Sequence, residues 1–227
     1  MGYTDREITL ELKPQSRLDV INICPLLSQR VGDLFDRYRK VIYYSYHTTA
    51  GYLDQQVCER FNHKSESLQH FVASFQEIFP PNASYRHDQM ELRDELTEIQ
   101  KLKEPRNGYA HLTFIGSGLT NCVTYHNKPG NPVYFIDLDG VNGSISRSRL
   151  TTVLGFDREQ KAVEIQRSVP VSKHAIDSVN LKDERLGLFE EMCDLVTRCG
   201  IEKARFDIAL ESDEKPVSYT HLTLPTN

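Results

Sequence analysis

Val41-Ile42-Tyr43-Tyr44-Ser45-Tyr46 runs directly into His47-Thr48-Thr49-Ala50-Gly51. The first six residues are β-branched or aromatic, the composition of a central strand. The next five are polar or small, the composition of a turn in which side chains are free to do chemistry. Outward from this stretch, Ile8-Thr9-Leu10-Glu11-Leu12 alternates apolar and polar residues, as a half-buried strand does, and Pro14 ends it. Asp19–Ile23 supplies another short apolar run. Pro25–Lys40 carries Leu26, Leu27, Val31, Leu34, Phe35 and Tyr38 at helical spacing. Val57–Phe79 reads as one amphipathic helix stopped by Pro80-Pro81, and Met90–Lys103 as a charged helix. Tyr109–Ile115 fits helix or strand and is broken by Gly116-Ser117-Gly118. Leu119–Tyr125, Pro132–Leu138 and Ala162–Val169 are strand-like, with Thr151–Phe156 a further candidate. Val171–Asp183 reads as a linker and Glu184–Cys199 as an amphipathic helix. Strands and helices mix without regular alternation, so the expected class is α+β rather than a doubly wound parallel sheet.

Composition narrows the function classes. The chain has 227 residues, with 39% hydrophobic and 26% charged, and 11 Tyr and 10 Phe, which is enough apolar material for a core. The balance of 27 Lys+Arg against 32 Asp+Glu gives −5, the wrong sign for a nucleic-acid module that works by displacing counterions. No run reaches the ~20 apolar residues of a membrane span, and Met1–Leu12 is too charged for a secretory signal. The 5 cysteines are odd in number and none is spaced as C-x-x-C, as expected of reduced thiols in a cytoplasmic protein.

Candidate chemistry centres on histidine. His47 follows a strand; His87 lies in Tyr85-Arg86-His87-Asp88; His111 lies in Gly108-Tyr109-Ala110-His111-Leu112. Neutral imidazole is the commonest metal ligand, and three imidazoles with one open position make a catalytic zinc site. Asp88 is placed to orient an imidazole or to act as a base. His63, His70, His126 and His174 read as ordinary polar histidines on surfaces or loops.

In order along the chain, His-Thr-Thr-Ala-Gly, Tyr-Arg-His-Asp and Ala-His-Leu followed by Ile-Gly-Ser-Gly-Leu-Thr resemble the YjbQ family, also called secondary thiamine-phosphate synthase. The resemblance runs from about Ile8 to Val171. It implies an α+β domain of mixed sheets with flanking helices, assembled as a cyclic homotrimer. It also implies a site of His47, His87, His111 and Asp88 around a divalent metal, zinc first, with no organic cofactor. The activity implied is a weak joining of a pyrimidine diphosphate to a thiazole phosphate with release of pyrophosphate. A small phosphorylated metabolite is therefore the expected partner. Thr48, Thr49 and Gly51, with Gly116, Ser117 and Gly118, are the residue types that let a backbone approach and cradle phosphate.

The departures point to a divergent member. Gln55-Gln56 stands where the family carries Asn-Glu, and an amide cannot serve as a carboxylate base. The family's Thr-Trp-Gln-Gly stretch is missing, and the chain has 0 Trp. A non-catalytic trimer that holds a phosphometabolite is the competing expectation. Val133–Gly140 (VYFIDLDG) imitates a haloacid-dehalogenase motif. Val141 in place of Thr, and a position far from the start, favour a strand ending in a tight turn. Arg147 and Arg149 in the serine-rich loop after it could bind phosphate, but such a stretch is more often a solvated loop. The expected organisation is a family-like domain over residues 1–173, a linker and helical extension over 174–216, and a tail at Val217–Asn227. That tail resembles translated sequencing-adapter DNA, so the natural sequence is expected to leave it near Pro216.

Overall fold

The structure is a computed structural model that describes residues 6–93, 96–142, 145–170, 181–201, 204–208 and 220–223. The chain forms two compact units, Met1–Asp157 with Asp207–Leu222, and Arg158–Phe206 with Thr223–Asn227. In the first unit, β1 (Glu7–Leu12), β3 (Lys40–Ser45), β5 (Cys122–His126) and β9 (Arg149–Phe156) form a 4-stranded sheet in the order β1-β9-β3-β5. Every pairing in it is antiparallel. A 3-stranded antiparallel sheet has the order β2-β6-β4, from β2 (Asp19–Asn22), β4 (Ala50–Gly51) and β6 (Tyr134–Asp137). The short strands β7 (Val141–Asn142) and β8 (Ile145–Ser146) pair with each other. The fold class is α+β, as the unpatterned mixture of elements predicts.

The Val41–Gly51 stretch connects the two sheets. Its first part is β3, and the chain then turns through His47 and Thr48 to enter the second sheet as β4. Tyr52, fully buried just after, packs tilted at 5.6 Å against Tyr43 of the first sheet and edge-to-face at 5.4 Å against Phe135 of the second. Around this seam the core gathers Leu10, Val41 and Val153 from one sheet and Phe135 and Ile136 from the other. Helices α3 (Ser65–Ile78) and α5 (Gly108–Gly116) add Leu68, Val72, Tyr109 and Phe114.

Several elements differ from their sequence reading, each for a local reason. Thr151–Phe156, a candidate strand in the sequence, is a strand, and it begins at Arg149. As β9 it lies between β1 and β3 and pairs with both. Ala162–Val169 is not a strand: its apolar alternation is real, but Val163 and Ile165 are exposed, and Arg167 pairs with Glu191. Alternation specifies a face, not a partner edge. The expected helix over Val57–Phe79 is two, α2 (Gln55–Arg60) and α3, because Asn62 and His63 take left-handed φ values of 52° and 51°. The helix read over Pro25–Lys40 stops at Val31, where Gly32 has φ 61°. Met90–Lys103 divides into a 3₁₀ turn at Met90–Leu92 and α4 (Glu98–Lys103), which starts at a Thr97/Gln100 capping box.

In the second unit the expected helix forms as α6 (Leu188–Arg198), with Met192 and Leu195 buried. Residues 171–180 of the expected linker lie outside the described residues. So does the Val217–Asn227 tail, apart from a short strand at Thr220–Thr223. No helix among the described residues is long and apolar enough to cross a membrane.

Gly51 shows why the seam needs a residue without a side chain. A Cβ there would lie 2.3 Å from the Thr120 carbonyl oxygen, against backbone that is itself bridged to Tyr52. Gly51→Ala is expected to lower the unfolding free energy by about 1–3 kcal/mol in urea titration, the range for overpacking a close-fitted site. An unchanged midpoint would show that the Thr120 backbone can shift to admit the methyl group.

Candidate functional site

The site is built around the N-terminus of α5. Asn107 precedes the helix, and its backbone carbonyl accepts from Ala110 N–H at 2.8 Å. The Tyr85-Arg86-His87-Asp88 turn packs against the helix start because Gly108 has no side chain. A Cβ at Gly108 would meet Tyr85 Cβ at 2.7 Å and Asp88 Oδ1 at 3.2 Å. That closeness lets Gly108 N–H donate to Asp88 Oδ1 at 2.8 Å, which satisfies one of the open N–H groups of the first turn. The same oxygen lies 3.1 Å from His87 Nδ1. With Nδ1–H donating to the carboxylate, the basic lone pair of His87 is on Nε2. The His111 ring lies 4.6 Å from the His87 ring, centroid to centroid. Burial, reinforced by His87, pushes the His111 imidazole below its ordinary pKa, so it is neutral near pH 7.

Next to this pair is a buried charge network. Arg149, 3% exposed, donates through Nε to Asp137 Oδ2 at 2.6 Å and through an Nη to Asp137 Oδ1 at 2.9 Å. The same Nη reaches the Asp139 carbonyl at 3.1 Å and Thr49 Oγ1 at 3.4 Å. Burial pushes the Asp137 carboxyl up, and the Arg149 guanidinium pulls it back down. Asp139 Oδ2 accepts from Asn107 Nδ2 at 2.8 Å and pairs with Arg147 at 2.9 Å. The backbone N–H of His111 donates to the carbonyl of Asn107 at 3.3 Å, so network and imidazole pair adjoin.

His47 is hydrogen-bonded to the residue that follows Arg149. Leu150 N–H donates to His47 Nε2 at 2.7 Å, and Asn121 Nδ2 donates to the His47 carbonyl. Burial, with the positive charges of Arg149 and Arg147, pushes His47 down to about 4. The structure therefore brings His87, Asp88 and His111 together and places His47 at the β3–β4 turn with its Nε2 already engaged. Among the described residues no three His, Cys, Asp or Glu side chains are grouped so that they could hold a metal ion.

The expected phosphate cradle divides in the same way. Thr48 is exposed, whereas Thr49 is buried against Arg149. Gly51 is packed on Thr120, as described above. Gly116-Ser117-Gly118 closes α5: Gly118, at φ 73°, donates to the Ile115 carbonyl and Leu119 N–H to that of Phe114. This is a Schellman cap, and Ser117 Oγ donates back to Thr113 O at 2.7 Å. A helix C-terminus presents carbonyls and the negative end of the dipole, the opposite of what a phosphate needs.

Sequence reading did not consider Asn107, and set Asp137 and Asp139 aside as a strand end and Arg149 as part of a solvated loop, whereas Arg149 is buried. The signal was there: Asp137-Leu138-Asp139 followed by Arg147-Ser148-Arg149. Two acids and two bases at i, i+2 spacing lie on matching sides of extended chain, and each acid meets a base.

No protein-family model and no curated protein matches the chain. Its structural neighbours include YjbQ/UPF0047-family proteins. It is similar to a hypothetical protein of Aeropyrum pernix K1, at 16% identity over 67% of this chain and 98% of the other, with TM-score 0.44. A YbjQ-like protein of unknown function from Sulfolobus solfataricus P2 gives 16% identity over 66% and 96%, TM-score 0.44. An uncharacterized conserved protein of the yjbq/UPF0047 family from Clostridium acetobutylicum gives 19% over 66% and 99%, TM-score 0.42.

Two predictions follow from the network. Arg149→Met leaves Asp137 buried without its cation and is expected to cost about 3–5 kcal/mol in urea unfolding. A loss below ~1 kcal/mol would show that the pair is not structural. The second concerns pH. The folded-state pKa of His47 is near 4, below the ~6.5 of an unfolded chain, so acid protonates the unfolded form first. The stability linked to His47 is complete above about pH 6.5 and is lost as pH falls toward 4, with His111 acting in the same direction. Unfolding titrations at neutral and mildly acid pH should show a smaller loss in His47→Gln than in wild type. An equal loss would exclude His47 as a source.

Proposed function

We propose that this chain is a cytoplasmic YjbQ-like protein in which His87, Asp88 and His111 act on a small phosphorylated metabolite. The reaction assigned to it is the thiamine-phosphate synthase joining implied by the resemblance. The observation that carries the reading is Asp88 holding His87 Nδ1 beside a neutral His111. In the joining step the bond from the pyrimidine's side carbon to the diphosphate oxygen breaks. The thiazole nitrogen forms the new bond to that carbon, and pyrophosphate leaves with the electron pair. An imidazole that can take up a proton from solvent can pass it to the leaving oxygen, a contribution of ~10²–10⁴-fold. Asp88 favours that function by fixing the tautomer of His87.

The arrangement fits a three-histidine metal centre only in part. His87 and His111 are adjacent, while His47 would have to give up its Leu150 hydrogen bond to join them. A divalent cation, zinc first, would supply charge stabilisation for pyrophosphate when bound. If the cation belongs to the site, purified protein carries it in element analysis and His87→Ala loses it. Metal-free protein with full turnover removes the cation from the reading.

A second reading, a non-catalytic trimer that holds the phosphometabolite, is favoured by Gln55. Its amide is committed to the backbone of His126, accepting from N–H at 2.8 Å and donating to the carbonyl at 3.0 Å, so this position clamps α2 to β5. Turnover separates the two readings. Pyrophosphate release from the two thiamine precursors is expected in wild type, with a drop of about 10²-fold or more in His87→Ala and in His111→Ala. Tight binding of the phosphate esters without any release would favour the binding protein, and unchanged rates in both variants would sink the site. Sedimentation of the purified chain is expected to give a trimer.

A further inference from the structure

A cavity of about 360 Å³ lies between α1 (Cys24–Val31), α2 and the loop that follows β5, and it shares no residue with the site described above. Its size is within the ~300–1,000 Å³ of small-molecule sites. Leu27, Phe35, Tyr125 and Val133 form the apolar part of the wall. Much of the polar lining is committed to holding that wall together. Gln55 clamps the His126 backbone, and Asn131 Nδ2 meets His63 Nε2 at 3.4 Å. Asn127 Nδ2 donates to the Phe35 carbonyl at 2.7 Å, which ties the turn carrying Asp36 to the end of β5.

Two lining groups are left for a ligand. Tyr43 is 5% exposed, and among the described residues its hydroxyl has no hydrogen-bond partner. That oxygen is not among the unpartnered atoms that the fold seals completely, so the cavity reaches it. Tyr52 and Tyr125 pack on the Tyr43 ring whether or not it carries a hydroxyl, and a buried hydroxyl without a partner is unfavourable. Burial pushes the phenol up, so it stays protonated and can donate or accept. The second group is the Asp36 carboxylate, exposed on the wall and without an ion pair among the described residues. Among those residues Asp36 is the one acid of the lining and Lys128 its one lysine or arginine, and Lys128 is paired with Glu59 at 2.7 Å. The surplus charge is therefore negative and favours a cation over an anion. We propose that the cavity binds a small primary amine with an apolar body and a hydroxyl group. The ammonium pairs with Asp36, the body lies against Leu27 and Phe35, and the hydroxyl meets Tyr43.

Tyramine, which has all three parts, is the probe, titrated into the full chain by ligand-observed NMR at about pH 8, where imidazoles of ordinary pKa are neutral. The compound para-hydroxyphenylacetate keeps the body and the hydroxyl but replaces the ammonium with a carboxylate. Phenethylamine keeps the ammonium and lacks the hydroxyl. Wild type is expected to bind tyramine at least about fivefold more tightly than either. Asp36→Asn should bring tyramine and the acid to within about twofold, and Tyr43→Phe should do the same for tyramine and phenethylamine. No binding of tyramine by wild type, equal binding of amine and acid, or an unchanged ratio in either folded variant overturns the proposal. So does equal binding of tyramine and phenethylamine by wild type, a comparison that needs no change in the core and leaves the Tyr43 hydroxyl to a water. His87→Ala lies outside the cavity and should leave every ratio unchanged, so this site and the one proposed above are tested separately.

Discussion

The ion pair between Arg149 and Asp137 is the constraint on which the rest of the site depends. Arg149 opens β9, in the middle of the larger sheet, and Asp137 ends β6, in the middle of the smaller one. Both are buried, and the guanidinium also reaches Thr49 and the Asp139 carbonyl. Burying two charges is costly, and an apolar pair of equal volume would often be as stable. An apolar contact would not, however, fix the relative position of two strand ends to within a hydrogen bond. Here that positioning sets where Leu150 presents its N–H to His47 and where Asp139 meets Asn107.

From that fixed corner the electrostatics of the site follow. The two arginines depress His47, and burial beside His87 depresses His111, so both imidazoles are neutral near pH 7. They differ in what is left for chemistry. The Nε2 of His47 is committed to the backbone of β9, whereas His87 is held through Nδ1 alone, with His111 stacked beside it. Residue type made the three histidines look equivalent; hydrogen bonding separates His47, engaged through Nε2, from the adjacent His87 and His111.

The core of the fold was legible because its signals are local. Alternation in Ile8–Leu12 and the β-branched run at Val41–Tyr46 need no partner to be read, and both became strands of the larger sheet. Thr151–Phe156, only a candidate by sequence, became one of the two interior strands of the larger sheet, and Ala162–Val169 became none. Which apolar run finds an edge depends on pairing across more than a hundred residues, and no window of sequence contains that. Gly116-Ser117-Gly118 was ambiguous for a related reason. Its composition suits a phosphate turn and a helix C-cap equally, and only the direction of α5 decides between carbonyls and N–H groups.

By itself the sequence determined the α+β class, the three histidine motifs and the position of Asp88 beside His87, because composition, periodicity and adjacency are carried in short stretches of chain. Tertiary structure alone decided that His87 and His111 meet while His47 stays with β9. It also decided that the Asp-Leu-Asp and Arg-Ser-Arg segments form the buried network beside them. The physical reason is desolvation. A charged residue in a sequence has no set environment, and its role is fixed only when folding removes water from it and supplies the partner it must then have.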